Sequence, residues 1–155
     1  MRRRLRALLP RLHLLPALSG WGDIVVVIGA DAELIAALAA EVAPDGDVIV
    51  IDPSVDVLEQ LRAAGRAPAV WYLVGEAEVL PLPDESVAAL RSALPATAPA
   101  AEEWFRVLGA GGEVASAGSG EPALNSGERV LSEAGFVDVA MVREDAAPSL
   151  VARKA

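Results

Sequence analysis

The sequence predicts a single α/β domain in which helices cover both faces of a mostly parallel sheet. Hydrophobic residues make up 54% of the 155 residues and aromatic residues only 4%, so Val, Leu, Ala and Ile must supply the core. That composition is typical of parallel strands that are buried on both faces. Apolar runs also alternate with helical or connecting stretches, as expected when crossover connections join parallel strands. The length fits one domain with one core.

Turn residues divide the chain into apolar runs, and each run predicts a strand. The runs lie at 24–28, 48–51, 70–74, 87–94, 113–117, 137–142 and 150–153. The intervening pattern predicts helices over 33–42, 54–64, 98–108 and 128–134, with Ser54 and Gly65 capping the second helix and a tight turn at 110–112. Only residues 144–149 join the last two runs, and so short a link predicts a hairpin. The last strand is therefore expected to run antiparallel, at or near one edge of the sheet.

Residues 1–22 differ in composition from the rest and are predicted as a basic amphipathic helical segment, followed by the α/β domain at 23–155. Arginines dominate this segment, and leucines recur there at helical spacing, at positions Leu5, Leu8, Leu9, Leu12 and Leu15. Pro10, Arg11 and Pro16 interrupt the apolar stretch, which argues against a secretory signal. We expect the segment to dock on the sheet, and contact with an anionic membrane surface is the alternative. No stretch reaches the roughly 20 apolar residues of a membrane span, so the expected location is the cytoplasm.

Charge and residue types exclude several classes of function. After the arginine-rich segment the chain carries eight basic and 22 acidic side chains. This acidic character repels phosphate backbones, so we expect no nucleic-acid partner. The chain has no Cys and one His, His13, which argues against disulfides, thiolate chemistry, the usual zinc sites and a Ser-His-Asp triad within the domain. We therefore expect no metal site, and a small-molecule ligand fits these properties better.

Five phrases of the sequence carry a family resemblance. In chain order they are VVVIG at 25–29, VIDPS at 50–54, GEAEVLPLPDES at 75–86, RVLGAGGE at 106–113 and LSEAGF at 131–136. Together they resemble the class I S-adenosylmethionine-dependent methyltransferases, and the match extends over most of the chain from Ile24 onward. The resemblance implies a Rossmann-like fold, S-adenosylmethionine as cofactor and methyl transfer as the activity.

The resemblance also assigns roles to four residues of this chain. Gly29 matches the glycine that opens the cofactor loop after the first strand. Asp52 matches the acid at the end of the second strand, which in the family accepts hydrogen bonds from the ribose hydroxyls. Glu76 matches an acid that faces the adenine amino group, and Ala77 supplies a backbone amide beside it. These four positions are the predicted cofactor-binding residues.

The sequence departs from the family at the amino-acid end of the cofactor. Asp31 and Glu33 stand where the family commonly has glycines, and a carboxylate facing the cofactor's own carboxylate adds about 1–4 kcal/mol of repulsion. Val27 replaces an acid that the family often places near the methionine amine, and Val87-Ala88 replaces an "FD" pair. The groups expected for ribose and adenine are thus kept, while those expected for the amino-acid end are replaced.

Two functions from different classes remain open. The first is a methyltransferase of unknown substrate, for which the sequence identifies no general base. The second is a non-catalytic scaffold or assembly subunit that binds an adenosyl ligand weakly or not at all. A dinucleotide oxidoreductase using Asp52 is disfavoured, because Asp31 and Glu33 would meet the pyrophosphate where a helix start should offer amides. The open cleft of so short a chain also predicts a homo-oligomer, in which a second copy covers the cleft.

Overall fold

The computed structural model describes residues 24–29, 32–42, 46–65, 70–117, 121–144 and 147–155. The predicted N-terminal segment 1–22 and the predicted loop acid Asp31 lie outside these residues. The strands are β1 (Ile24–Ile28), β2 (Asp47–Asp52), β3 (Val70–Val74), β4 (Val87–Ser92), β5 (Leu108–Ala117), β6 (Val137–Glu144) and β7 (Ala147–Arg153). The helices are α1 (Ala32–Val42), α2 (Val55–Ala64), α3 (Ala98–Val107) and α4 (Glu121–Glu133).

The strands form one seven-stranded sheet in the order β3-β2-β1-β4-β5-β7-β6. Neighbouring strands from β3 through β5 are parallel, and β7 runs antiparallel to both β5 and β6. The predicted fold class is confirmed, including the reversed strand near the C-terminal end of the sequence. The strand order reverses between β1 and β4, and the crevice at the carboxyl ends of such strands is where open α/β sheets bind ligands.

Each face of the sheet has its own apolar core. On one face, α1 and α2 pack against β1 and β2 through residues such as Leu38 and Leu58. On the other face, α3 and α4 cover the sheet, and Trp104 and Leu131 are fully buried there. Burying each large apolar side chain contributes roughly 1.5–3 kcal/mol, so these two layers fix the positions of the strand ends.

Two boundaries differ from the sequence prediction by five residues or more. β5 begins at Leu108 rather than at 113, because the predicted tight turn lies inside an irregular strand: Gly111 has a φ of +76° and the register against β4 shifts there. Helix α4 begins at Glu121 rather than at 128. The predicted caps of α2 are present, since the Ser54 hydroxyl accepts a hydrogen bond from the Val57 amide and the Gly65 amide donates to the Leu61 carbonyl. No helix within the described residues is long and apolar enough to cross a membrane.

Candidate functional site

Gly29 is the first residue after β1. Its φ is +98°, a conformation that residues with a Cβ adopt only under strain. A Cβ on Gly29 would lie 2.7 Å from the Cβ of Ala93, which follows β4. The Ala93 amide also donates to the Ile28 carbonyl at 2.8 Å. The ends of β1 and β4 therefore touch at Gly29, and only glycine fits this contact without a shift.

Asp52 is the last residue of β2, and its side chain is half-buried. Its Oδ1 accepts a hydrogen bond from the Ser54 amide at 2.8 Å, which holds the carboxylate at the carboxyl edge of the sheet. The Asp52 carbonyl in turn accepts from the Gly75 amide at 3.2 Å, so the segment after β3 lies directly beside this strand end. The carboxylate is thus positioned by one local hydrogen bond, and the backbone of Asp52 is tied to the segment that follows β3.

Glu76 and Ala77 form the turn that follows β3. The Val79 amide donates to the Glu76 carbonyl at 3.1 Å, and these two residues form an isolated bridge. The Glu76 side chain is exposed, whereas Ala77 is buried in the core and exposes only 7% of its surface. The structure therefore brings Gly29, Asp52 and Glu76 to the carboxyl ends of three adjacent strands, β1, β2 and β3. Their roles toward a cofactor stay predictions.

Three exposed apolar side chains lie at or shortly after these strand ends, and they were not predicted from the sequence. Val55, Val74 and Val79 expose 53%, 56% and 68% of their surfaces, respectively. Val74 is in register with Asp52, and Val55 begins the helix that follows it. Exposed valines near a carboxylate give a surface with one apolar part and one charged part. Such a surface suits a ligand whose flat ring contacts the apolar part and whose hydroxyls bind the carboxylate.

Glu33, one of the two acids at predicted glycine positions, lies in the first turn of α1 and is exposed. Because its backbone is helical, an acid at this position needs no left-handed conformation. A negative side chain in the first turn also interacts favourably with the helix dipole. The effect of Glu33 on a ligand is therefore electrostatic rather than a matter of backbone strain.

Arg106 anchors the segment between β3 and β4 to helix α3. Its guanidinium donates to the Leu82 carbonyl at 2.9 Å, to the Leu80 carbonyl at 3.2 Å and to Asp84 at 2.7 Å. It also pairs with Glu103, whose Oε1 accepts from the Leu80 amide at 2.9 Å. This anchor fixes the segment that follows Glu76 and Ala77. The hydrogen bond from Arg106 holds the pKa of the Glu103 carboxyl below its ordinary value of 4.5.

Replacing Arg106 by methionine is expected to lower the free energy of unfolding at neutral pH by about 1.5–3 kcal/mol, since a charged hydrogen-bond network is lost. The Glu103 pKa is lower in the folded state, so the unfolded chain binds more protons in acid. The contribution of Glu103 is therefore complete above pH 4.5 and is lost as the pH falls below that value. Urea unfolding of both proteins across this range measures the difference.

Arg129→Met is the matched control, because Arg129 pairs at 3.7 Å with Glu133 and both side chains are mostly exposed. Such a pair contributes at most about 1 kcal/mol, so this variant should keep the acid dependence of the natural protein. An Arg106→Met protein whose stability falls in acid as steeply as that of the natural protein would contradict the assignment.

A cavity of about 100 Å³ opens at the ends of β1, β4, β5 and β7, beside Gly29. We call it the strand-end cavity, and its polar lining consists of Arg91, Ser92 and Ser149. These side chains are buried, with exposed fractions of 5%, 6% and 4%. They were not predicted from the sequence, although Arg91 is a charged residue inside the apolar run at 87–94 and could have indicated them. Within the described residues, no group of three or more acidic or histidine side chains is placed to hold a metal ion.

Comparison with known proteins agrees with this geometry. A family model described as a methyltransferase domain matches residues 26–116, which is more than half of the chain. The chain belongs to the class I S-adenosylmethionine-dependent methyltransferase family. The resemblance predicted from the five phrases is confirmed. No curated protein matches the sequence.

Solved structures of methyltransferases share the fold at low sequence identity. An O-methyltransferase dependent on S-adenosylmethionine from Thermotoga maritima superposes with a TM-score of 0.80 at 16% identity, covering 92% of this chain. The chain spans 63% of the length of that protein. A methyltransferase from Aquifex aeolicus gives a TM-score of 0.71 at 21% identity and covers 99% of this chain and 98% of its own. A Haloferax volcanii chain, solved in complex with the Trm112 methyltransferase activator, gives 0.65 at 19% identity, with 97% and 93% covered.

Proposed function

We propose that this protein transfers a methyl group from S-adenosylmethionine to a small molecule. The observation that carries the proposal is the placement of Asp52 and Glu76 on adjacent strand ends beside the Gly29 turn. A carboxylate fixed by the Ser54 amide suits two ribose hydroxyls, and the exposed Glu76 suits an amino group. Val55 and Val79 offer apolar surface for the adenine ring between them.

The chain's own residues would bind and orient the two reactants. S-adenosylmethionine supplies a methyl group that is already activated by its sulfonium sulfur. The protein's contribution is then to hold the methyl acceptor in line with that group, which is a matter of proximity and orientation. Asp52, Glu76 and the Ala77 amide would hold the adenosyl part, and the contact between Gly29 and Ala93 fixes the turn over which it lies.

Calorimetric titration with S-adenosylmethionine and with S-adenosylhomocysteine tests the proposal. We expect binding with a Kd of about 100 μM or tighter, which corresponds to roughly −5.5 kcal/mol. Circular dichroism of the same sample shows that it is folded. No heat at millimolar ligand with a folded protein would contradict the proposal and favour the scaffold alternative.

The scaffold alternative has one specific observation in its favour, namely the exposed acid Glu33 next to the Gly29 turn. If acids block the amino-acid end of the cofactor, the double variant Asp31→Asn with Glu33→Gln should tighten S-adenosylhomocysteine binding by about fivefold to a thousandfold, since roughly 1–4 kcal/mol of repulsion is removed. Amides are used rather than glycines, because a glycine at 33 would weaken α1. Calorimetry measures the change.

Glu102→Gln is the control for that variant, since it removes the charge of an exposed acid on α3. Glu102→Gln should leave the affinity for S-adenosylhomocysteine unchanged. Equal affinities for the natural protein and the double variant would show that these acids do not oppose the cofactor.

We also propose that the protein acts as a homo-oligomer in the cytoplasm, with a second copy covering the cleft. The exposed Val74, the last residue of β3, supports an apolar contact there. The activator bound to the Haloferax chain shows that a different protein can be the partner of a related fold. Light scattering of the purified protein separates a dimer from a monomer, and a monomer at high concentration would contradict this proposal.

A further inference from the structure

The strand-end cavity lies on one face of the sheet, and its shape follows from the register of three strands. Arg91 on β4 is in register with Ala115 on β5, and Ala117 on β5 is in register with Ser149 on β7. Residues in register, and residues two apart on a strand, share a face. Arg91 and Ser149 therefore line the same face, and the two alanines between them leave the space open.

The hydroxyl of Ser149 is an unexplained feature of this cavity. Ser149 exposes 4% of its surface, and its Oγ has no hydrogen-bond partner among the residues that the structure describes. A buried polar atom without a partner is destabilising, and native proteins retain few of them. Ser92 differs, because its Oγ donates to the Leu94 carbonyl and accepts from the Leu94 amide. The Ser149 hydroxyl thus lacks the hydrogen bonds that the Ser92 hydroxyl makes in the same cavity.

The chemistry of the lining selects a carboxylate. The guanidinium of Arg91 has five N–H donors in a planar arrangement that matches carboxylate oxygens. The Ser149 hydroxyl adds a further donor on the same face of the sheet. A volume of about 100 Å³ is smaller than the roughly 300 Å³ of a complete ligand pocket, so the cavity suits one terminal group of a ligand. Resting on the proposed function, we infer that the strand-end cavity holds the carboxylate of the methyl acceptor, which makes the substrate a small carboxylic acid.

The location of the strand-end cavity separates the carboxylate of the methyl acceptor from the adenosyl part of the cofactor. Asp52 ends β2 and Glu76 follows β3, on one side of β1, whereas the polar lining of the cavity comes from β4 and β7, on the other side. Gly29 borders both regions. A carboxylate in the cavity would therefore anchor the acceptor across the crevice from the adenosyl group.

Propionate and its neutral analogue propionamide are the probes for this cavity. Their binding to the full-length protein, without any adenosyl ligand, is measured by saturation-transfer NMR. We expect propionate to bind and propionamide to bind at least about tenfold more weakly, because a charge-assisted hydrogen bond is lost. Ser149→Ala should weaken propionate binding by a similar factor and leave the melting temperature unchanged or raised, since it removes an unsatisfied hydroxyl. Ser132→Ala, at an exposed position on α4, should change neither quantity.

Ala117→Val gives a second, independent variant, because the added methyl groups fill the cavity and should abolish the propionate signal. Equal signals from propionate and propionamide, or full propionate binding by Ser149→Ala, would overturn the inference. Displacement of propionate by S-adenosylhomocysteine but not by methylthioadenosine would also overturn it, since the cavity would then hold the cofactor's amino-acid end. Propionate binding by a protein that binds no S-adenosylhomocysteine would uphold the carboxylate site and refute the proposed function.

Discussion

Asp52→Ala is expected to weaken S-adenosylhomocysteine binding by about ten- to a hundredfold. A hydrogen bond to a charged group contributes about 1.5–3 kcal/mol, and the Asp52 carboxylate is the acceptor proposed for the ribose hydroxyls. The structure holds that carboxylate in place through the Ser54 amide, so its orientation requires no rearrangement on binding. Calorimetric titration of the variant and the natural protein measures the ratio of the two Kd values.

Two further variants separate the ribose contact from a general loss of charge or of local structure. Asp56→Ala removes an exposed acid four residues away, in the first turn of α2, and should change affinity by less than about threefold. Ser54→Ala removes the hydroxyl that caps α2 and should lower stability by about 0.5–2 kcal/mol without abolishing binding. If Asp52→Ala binds as tightly as the natural protein, Asp52 is a structural carboxylate only.

Gly29→Ala is expected to lower the free energy of unfolding by about 2–6 kcal/mol. The φ of +98° costs a residue with a side chain about 1–3 kcal/mol. The new Cβ would lie 2.7 Å from the Ala93 Cβ, and relieving such overpacking costs about 1–3 kcal/mol more. Chemical denaturation followed by circular dichroism gives the difference.

Gly111→Ala is the matched control, because Gly111 also has a positive φ, of +76°, but a Cβ there would meet no atom within 4 Å. Gly111→Ala should lower the free energy of unfolding only by the conformational cost of the positive φ. Ala93→Gly combined with Gly29→Ala removes the contacting methyl group and should recover the packing part, so the double-mutant cycle measures the clash directly. Equal losses for Gly29→Ala and Gly111→Ala would show that contact with Ala93 is unimportant.

Much of the fold could be predicted because its signals are local. Continuous apolar runs marked β1 to β4, and β1 and β4, which lie inside the sheet and are buried on both faces, need no alternation. The short link before Ser149 fixed the direction of β7, because two neighbouring strands joined by so few residues must be antiparallel. The predicted β5 was too short, because the first half of the strand contains glycines, which indicate a turn. The pairing of that half with Val87 and Lys154 depends on distant segments of the chain.

The candidate site was predictable only in part. Asp52 and Glu76 could be placed because Asp52 ends one strand and Glu76 lies two residues after another, and the ends of parallel strands meet at one edge. Their roles toward a cofactor remain predictions. The Arg106 anchor was not foreseen, since three of its partners, Leu80, Leu82 and Asp84, lie more than 20 residues away and meet it only in the folded chain. The strand-end cavity was also missed, because it depends on which residues of β4 and β7 face the same side of β5.

The edges of the sheet are unequal, and this affects how the protein behaves at high concentration. Within the described part of the chain, β3 and β6 each have one strand neighbour. β6 has an irregular register and carries Asp138 at a φ of +53°, features that bend an edge and discourage strand addition. β3 reads VWYLV, contains no charged residue, and Trp71 exposes 59% of its surface. Aggregation of concentrated or warmed solutions is therefore expected to begin by strand addition at β3, and a charged residue there would be the first change to make for handling the protein.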